Sequence, residues 1–125
     1  SGVSSDMREI TTAAKQGNEK AILSLEMYEQ RITKYVGAFA AEMGGVDIIV
    51  FTGGVGEHQS STRANVCNPL RFMGVEIDDA ANDANNGDEG IISTPNSAVK
   101  VVVIPTDEEY MIAKDTEAII EGREP

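Results

Sequence analysis

Ile48-Ile49-Val50-Phe51 is an unbroken apolar run, mostly β-branched, that leads straight into Thr52-Gly53-Gly54-Val55-Gly56. Successive side chains of a strand point to opposite faces, so such a run is stable as a strand only where both faces are covered, as in a parallel sheet under helices. Ligands of parallel sheets sit at the C-terminal ends of the strands, and the glycines occupy that end. Without Cβ atoms in the way, their N–H groups can turn toward an anion. The segment matches neither the G-x-G-x-x-G dinucleotide fingerprint nor the G-x-x-x-x-G-K-[ST] P-loop. A phosphate or nucleotide cradle and a plain strand-to-helix turn are therefore both open at this point.

The flanking sequence supports an α/β reading. Ser4 to Gln16 has the marks of a short helix: Ser4, Ser5 or Asp6 can cap its start, Lys15 lies late and Gly17 follows. Asn18 can cap a second helix that ends at Gly44-Gly45. In it Ile22, Leu25, Tyr28, Ile32, Tyr35, Val36, Phe39 and Met43 recur every three or four residues, which predicts one apolar stripe serving as core or as a subunit contact. Ser60 to Val66 reads as a further helix stopped before Pro69. Leu70 to Ile77 reads as irregular with a short strand at its end, and Asp78 to Gly90 as an exposed acidic loop or weak helix. Ile91-Ile92-Ser93 is a short strand candidate. Val99 to Ile104, interrupted only by Lys100, is a second buried strand, after which Thr106 caps a helix from Asp107 to about Ile120. The alternation of helix and strand predicts a mostly parallel sheet with helices packed on it.

Charge excludes two classes of partner. With 21 acidic and 10 basic residues the chain carries a formal net charge of −11, which opposes binding to nucleic acid or to an anionic membrane surface. An anionic ligand would need local donors and a divalent cation to screen the carboxylates. Cys67 is the only cysteine, so no intrachain disulfide forms and a reducing compartment, the cytoplasm, is expected. No apolar run approaches the roughly 20 residues of a membrane span. The 125 residues suit one domain, and a chain opening on Ser1 is expected to be a processed or truncated product.

Other candidates carry bland readings beside the functional ones. Asp107-Glu108-Glu109 follows the second strand, where a carboxylate could hold a magnesium ion directly or through water; acidic residues in a first helical turn also complement the helix dipole. Arg8, beside Asp6 and Met7, opposes that dipole unless an anion compensates it. His58, the sole histidine, has no Ser or Cys partner placed beside it, so it reads as a cap or turn residue rather than a triad member. Asn82 to Gly87 lacks the ligands of a calcium loop, with Ala84 and Ser93 where side-chain ligands belong.

Three separated segments together resemble the C-terminal part of the acetate kinase family: Ser1-Gly2-Val3-Ser4-Ser5-Asp6-Met7-Arg8, Phe51-Thr52-Gly53-Gly54-Val55-Gly56-Glu57, and Val103-Ile104-Pro105-Thr106-Asp107-Glu108-Glu109 with Met111 to Thr116. Arg31 to Gly37 and Leu70 to Asp78 are similar to the family too, so the resemblance covers essentially the whole chain in order. It implies the ribonuclease-H-like ATPase fold shared by acetate and sugar kinases, actin and heat-shock chaperones, with residues 1–125 as the larger part of the second domain and the first domain absent. It implies reversible transfer of the γ-phosphoryl group of ATP to acetate, giving acetyl phosphate and ADP, with Mg²⁺ or Mn²⁺ as cofactor, in a cytoplasmic homodimer. By the resemblance Asp6, Met7 and Arg8 contact adenosine; Gly54, Val55, Gly56, Glu57 and His58 line the nucleotide site; and Glu108 helps to hold the metal. The family usually has Asn where this chain has His58. A propionate or butyrate kinase fragment is the nearest rival, since substrate choice lies in the absent domain. A non-catalytic nucleotide-binding or dimerisation module is the rival from another class.

Overall fold

The computed structural model describes residues 7–106. Asp6, Glu108 and the helix expected from Asp107 lie outside them. Helix α1 (Met7–Lys15) ends at Gly17, where the Gln16, Gly17 and Asn18 N–H groups bond back to carbonyls of its last turn. Asn18 then caps α2 (Glu19–Met43) as its residue type predicts: the side-chain oxygen accepts from the Ala21 N–H at 3.0 Å. Gly44 and Gly45 close the helix by donating to the carbonyls of Ala41 and Ala40.

Strand β1 (Ile48–Phe51) follows, then α3 (Gly54–His58), α4 (Ser60–Cys67), a 3₁₀ helix over Asn68–Met73, α5 (Asp79–Ala84), β2 (Gly90–Ile91) and β3 (Lys100–Val103). The strand order is β1-β3-β2. β1 and β3 run parallel, with Ile48 opposite Lys100 and Phe51 opposite Val103, whereas β2 is antiparallel to β3. The expectation of a mostly parallel sheet therefore holds for the two long apolar runs and fails at the edge. There β2 and β3 are joined directly by residues 92–99, a connection too short for the crossover that a parallel neighbour needs. β2 also begins one residue before the expected Ile91-Ile92-Ser93 run.

The apolar runs behave as their composition requires. Ile49, Val50 and Phe51 are all buried although they alternate between faces, as are Val101 and Val103 beside them. Val36 of α2, Val66, Cys67 and Leu70 from the α4 side, and Val75, Ile92 and Val99 complete the cluster. Full burial of each Val or Ile contributes roughly 1.5–3 kcal/mol. Burial pushes the Cys67 thiol up to about 12, so it is a neutral core group, not a reactive one.

Helix α2 departs from its predicted stripe. Of the eight residues expected on it only Val36 is buried; Ile22, Tyr35, Phe39 and Met43 are exposed, and the buried positions are Ala21, Glu29, Val36 and Ala40. Small side chains let the helix approach α1 and α4 closely, so the line of contact runs through the alanines and the larger apolar groups flank it. Tyr35 and Phe39 instead stack on each other, ring centroids 6.4 Å apart.

Candidate functional site

The glycine segment is a strand end, a bend and one short helix. Gly53 adopts φ 83° and ψ 163°, a left-handed backbone that only glycine takes without strain. Helix α3 starts at Gly54, three residues after the strand's last rung; the helix expected over Ser60 to Val66 is present as α4, and α3 is an additional turn before it. The first N–H groups of a helix have no acceptor within it. Here they belong to Gly54, Val55 and Gly56, at the C-terminal end of β1, where an open α/β sheet binds its ligand.

Beneath this turn lies a polar interior. The Glu57 side chain is buried and turned inward: its Oε2 accepts from the Gly53 N–H at 2.9 Å, the Thr106 N–H at 2.7 Å and the Thr106 hydroxyl at 3.0 Å. One carboxylate oxygen thus ties the end of β1 to the segment leaving β3. Phe51 adds a backbone bond to the same join, accepting from the Ile104 N–H at 2.9 Å. The Glu57 backbone is engaged as well: its N–H donates to the Gly53 carbonyl at 2.7 Å and its carbonyl accepts from Arg63 at 2.8 Å.

Arg63, on α4, is fully buried. Its Nε donates to Asn82 Oδ1 at 2.7 Å. One terminal nitrogen donates to the carbonyls of Gly56 (3.0 Å) and Glu57 (2.8 Å), and the other to those of Asn82 (2.9 Å) and Asn85 (2.7 Å). All five N–H donors of a guanidinium are used. The four carbonyls come from the last turns of α3 and α5, the negative ends of two helix dipoles, which is where a cation is favoured. Burial pulls the Arg63 pKa below the ordinary arginine value, and the negative charge of nearby Asp83 opposes that pull. The sequence reading passed over this residue. The signal was present, since Thr62, Arg63, Val66, Cys67 and Leu70 form one three-four stripe with an arginine inside it.

His58 is half exposed. Its Nδ1 lies 3.4 Å from Asn86 Oδ1, and its Nε2 is 3.5 Å from Glu57 Oε1. The ring lies close against Gly87 (φ 105°), where an added Cβ would come within 2.5 Å of its Cε1. The segment expected to be an exposed acidic loop or a weak helix contains the short helix α5. Asp78 caps α5 through the Ala81 N–H, and Asn82 is buried to meet Arg63.

The five turn residues Gly54, Val55, Gly56, Glu57 and His58 are brought together. Met7 and Arg8 are carried on the first turn of α1, which packs on α2 through its buried Ile10 and Thr11. The metal assignment rests on Glu108, outside the described residues. Among the described residues no group of three or more His, Cys, Asp or Glu could hold a metal ion, so they do not make such a site by themselves. No described helix is long and apolar enough to cross a membrane.

A buried parallel strand pair with a glycine turn pinned at its C-terminal ends defines an α/β protein with that turn at the end of the sheet where such folds carry their ligands. The model of the acetokinase family matches residues 1–114, and the chain belongs to that family. It is 60% identical over 120 residues to an acetate kinase of Porphyromonas gingivalis, covering 96% of this chain and 30% of the relative. To that of Thermotoga maritima it is 57% identical over 121 residues, with the same coverage. The crystal structure of the Porphyromonas gingivalis acetate kinase superposes with a TM-score of 0.82, covering 93% of this chain and 29% of that one. A propionate kinase from Francisella tularensis gives 0.69 at 33% identity, covering 80% and 25%. The fold is that of the acetate kinases, as the resemblance implied. The chain spans about 30% of the length of the curated relatives it matches.

Proposed function

We propose that this chain forms one wall of the adenine-nucleotide site of an acetate kinase, which transfers the γ-phosphoryl group of ATP reversibly to acetate. The observation that carries the reading is Gly54. It has no positive φ, and a Cβ added there would meet no atom within 4 Å. Neither backbone conformation nor packing calls for glycine at this position, although glycine in a helix costs about 0.5–1 kcal/mol relative to alanine. Space for a ligand against the backbone accounts for it, in company with the unpaired N–H groups beside it. Asp6, Met7 and Arg8 would meet the adenosine and Glu108 would help to hold Mg²⁺ or Mn²⁺, whose chemistry is to neutralise phosphate charge.

Phosphoryl transfer needs positioning and charge neutralisation from both sides of a cleft. The acetate and the transferring phosphoryl would be held by the portion of the relatives that this chain does not span, so the 125 residues alone are expected to make no acetyl phosphate. The same proposal includes a cytoplasmic homodimer that binds neither nucleic acid nor membrane. The exposed Tyr35, Phe39 and Met43 of α2 support a subunit contact. The likeness to the Francisella tularensis propionate kinase favours a second reading, in which the acyl substrate is propionate.

The test is a chimera: the Porphyromonas gingivalis acetate kinase with this chain in place of its matched stretch, with and without Gly54→Val. The parent chimera should phosphorylate acetate. The valine should raise the KM for ATP about tenfold or more by obstructing close backbone approach, with the acetate KM little changed. An unchanged ATP KM would return the turn to a purely structural role.

A further inference from the structure

Resting on the nucleotide-site reading, we propose that Arg63 is a positioning residue that holds the glycine turn and the Asn85-Asn86-Gly87 loop as one unit, and that this loop is a second wall of the ligand site. The geometry is a two-sided clamp. One terminal nitrogen of the buried guanidinium grips the carbonyls of Gly56 and Glu57 at the end of α3, and the other grips those of Asn82 and Asn85 at the end of α5. Because those N–H pairs diverge from one rigid plane, the distance between the two helix ends is set by the guanidinium itself.

Its consequences reach the surface on both sides. On α3, fixing the last two carbonyls fixes the tilt of a helix only five residues long, and with it the direction of the Gly54, Val55 and Gly56 N–H groups. On α5, Asn85 carries the grip outward. Its side-chain oxygen accepts from the Gly87 N–H at 2.9 Å and its Nδ2 donates to the Asp88 carbonyl at 2.8 Å. The braced loop then meets His58, whose ring lies on Gly87 and within 3.4 Å of Asn86 Oδ1. His58 is the last residue of the turn, so loop and turn share one outer edge. Asn82 locks the clamp from behind, accepting from Arg63 Nε while its Nδ2 donates to the Ser60 carbonyl at 2.9 Å.

The experiment uses the same chimera, with Arg63→Lys and, separately, Asn85→Ala. Lysine keeps the charge but offers donors at a single point, so it cannot span four carbonyls on two helices. The ATP KM should rise about tenfold or more in Arg63→Lys and by a smaller factor in Asn85→Ala, while the acetate KM stays within about twofold in both. A role confined to folding would lower the yield of active enzyme and the apparent kcat and leave both KM values alone, and that pattern would overturn the proposal. Should Arg63→Lys fail to fold, the variant Asn85→Ala, at a half-buried loop position, decides: an unchanged ATP KM overturns the proposal. A parent chimera that phosphorylates no carboxylate substrate from ATP would remove the nucleotide-site reading itself, an outcome distinct from either.

Discussion

The interior beneath the glycine turn and the outer side of α2 invert the usual arrangement of side chains. Under the turn Glu57, Arg63 and Asn82 are buried; on α2 Leu23, Met27, Tyr35, Phe39 and Met43 are exposed. The buried set is stable because it is satisfied: five donors of Arg63 meet five acceptors, and one oxygen of Glu57 meets three donors. The exposed set has no such completion among the described residues. The turn is therefore self-sufficient within this chain, whereas the α2 side presents apolar area of the kind that marks an interaction surface. Two consequences follow for mutation: polar truncations under the turn should be costly, and apolar truncations on α2 should not.

Glu57→Ala should give the largest effect. It leaves the Gly53 and Thr106 N–H groups and the Thr106 hydroxyl without their acceptor; Gly53 is half-buried and Thr106 exposed, so water replaces part of the loss and about 1–3 kcal/mol in all is expected. Glu57→Gln keeps one carbonyl oxygen that can accept from the same donors and should cost less than half as much. Urea denaturation of the 125-residue chain, following the midpoint at constant slope, measures both. Equal losses for the two variants would mean that the charge, not the acceptor geometry, holds the join between β1 and β3.

How far the sequence reveals these features follows from what kind of force fixes each. Ile48 to Phe51 and Val99 to Ile104 were legible as buried strands because an apolar run without alternation has few stable placements. Asn18 was legible as a cap because its side chain acts within three residues. On α2 periodicity told which residues share a side of the helix but not how wide the covered part is: Val36 joins the core with Ile32 packed against it, Ala21 and Ala40 are buried, and Tyr35, Phe39 and Met43 are left outside. The burial of Arg63 was signalled by its place on an apolar stripe, but its partners were not: Asn82 and Asn85 lie 19 and 22 residues away in the chain, and no local pattern encodes such a meeting. Gly54 to His58 were singled out through family likeness and strand context together, while Glu57's inward bonding could not be read from either.

A smaller effect, of opposite sign, is expected where a buried polar group is not satisfied. Glu29 on α2 faces α4: its Oε1 accepts from Asn65 Nδ2 at 3.1 Å, and its buried Oε2 has no hydrogen-bond partner, nor has Thr62 Oγ1. Burial raises the Glu29 pKa above its ordinary 4.5 and the Glu26 charge adds to the rise, while the hydrogen bond from Asn65 opposes it. The folded state then holds this proton more tightly than the unfolded one, so stability is lost as pH rises from about 4.5 through the folded value. Glu29→Gln removes the charge and supplies an amide that can donate to Thr62. It should raise stability by about 1 kcal/mol at neutral pH and by less below pH 4.5. Thermal melts of both proteins across that range would show it, and a gain independent of pH would mean that Glu29 is charged in the fold at little cost.

The smallest effect should come from the other region. Phe39→Ser removes a large apolar side chain that is 46% exposed and whose described ring contact is the stack with Tyr35. Surface substitutions of this kind change stability by about 0.5 kcal/mol or less, whereas truncation of a core phenylalanine costs about 3–5 kcal/mol. The denaturation midpoint of the 125-residue chain, measured at low and high protein concentration, separates the possibilities. No change at either concentration leaves α2 as a bare apolar side in this chain. A loss that appears only at high concentration means that copies of the chain already pair through Phe39, and the contrast between a self-satisfied turn and an unpartnered helix would then hold for the monomer alone.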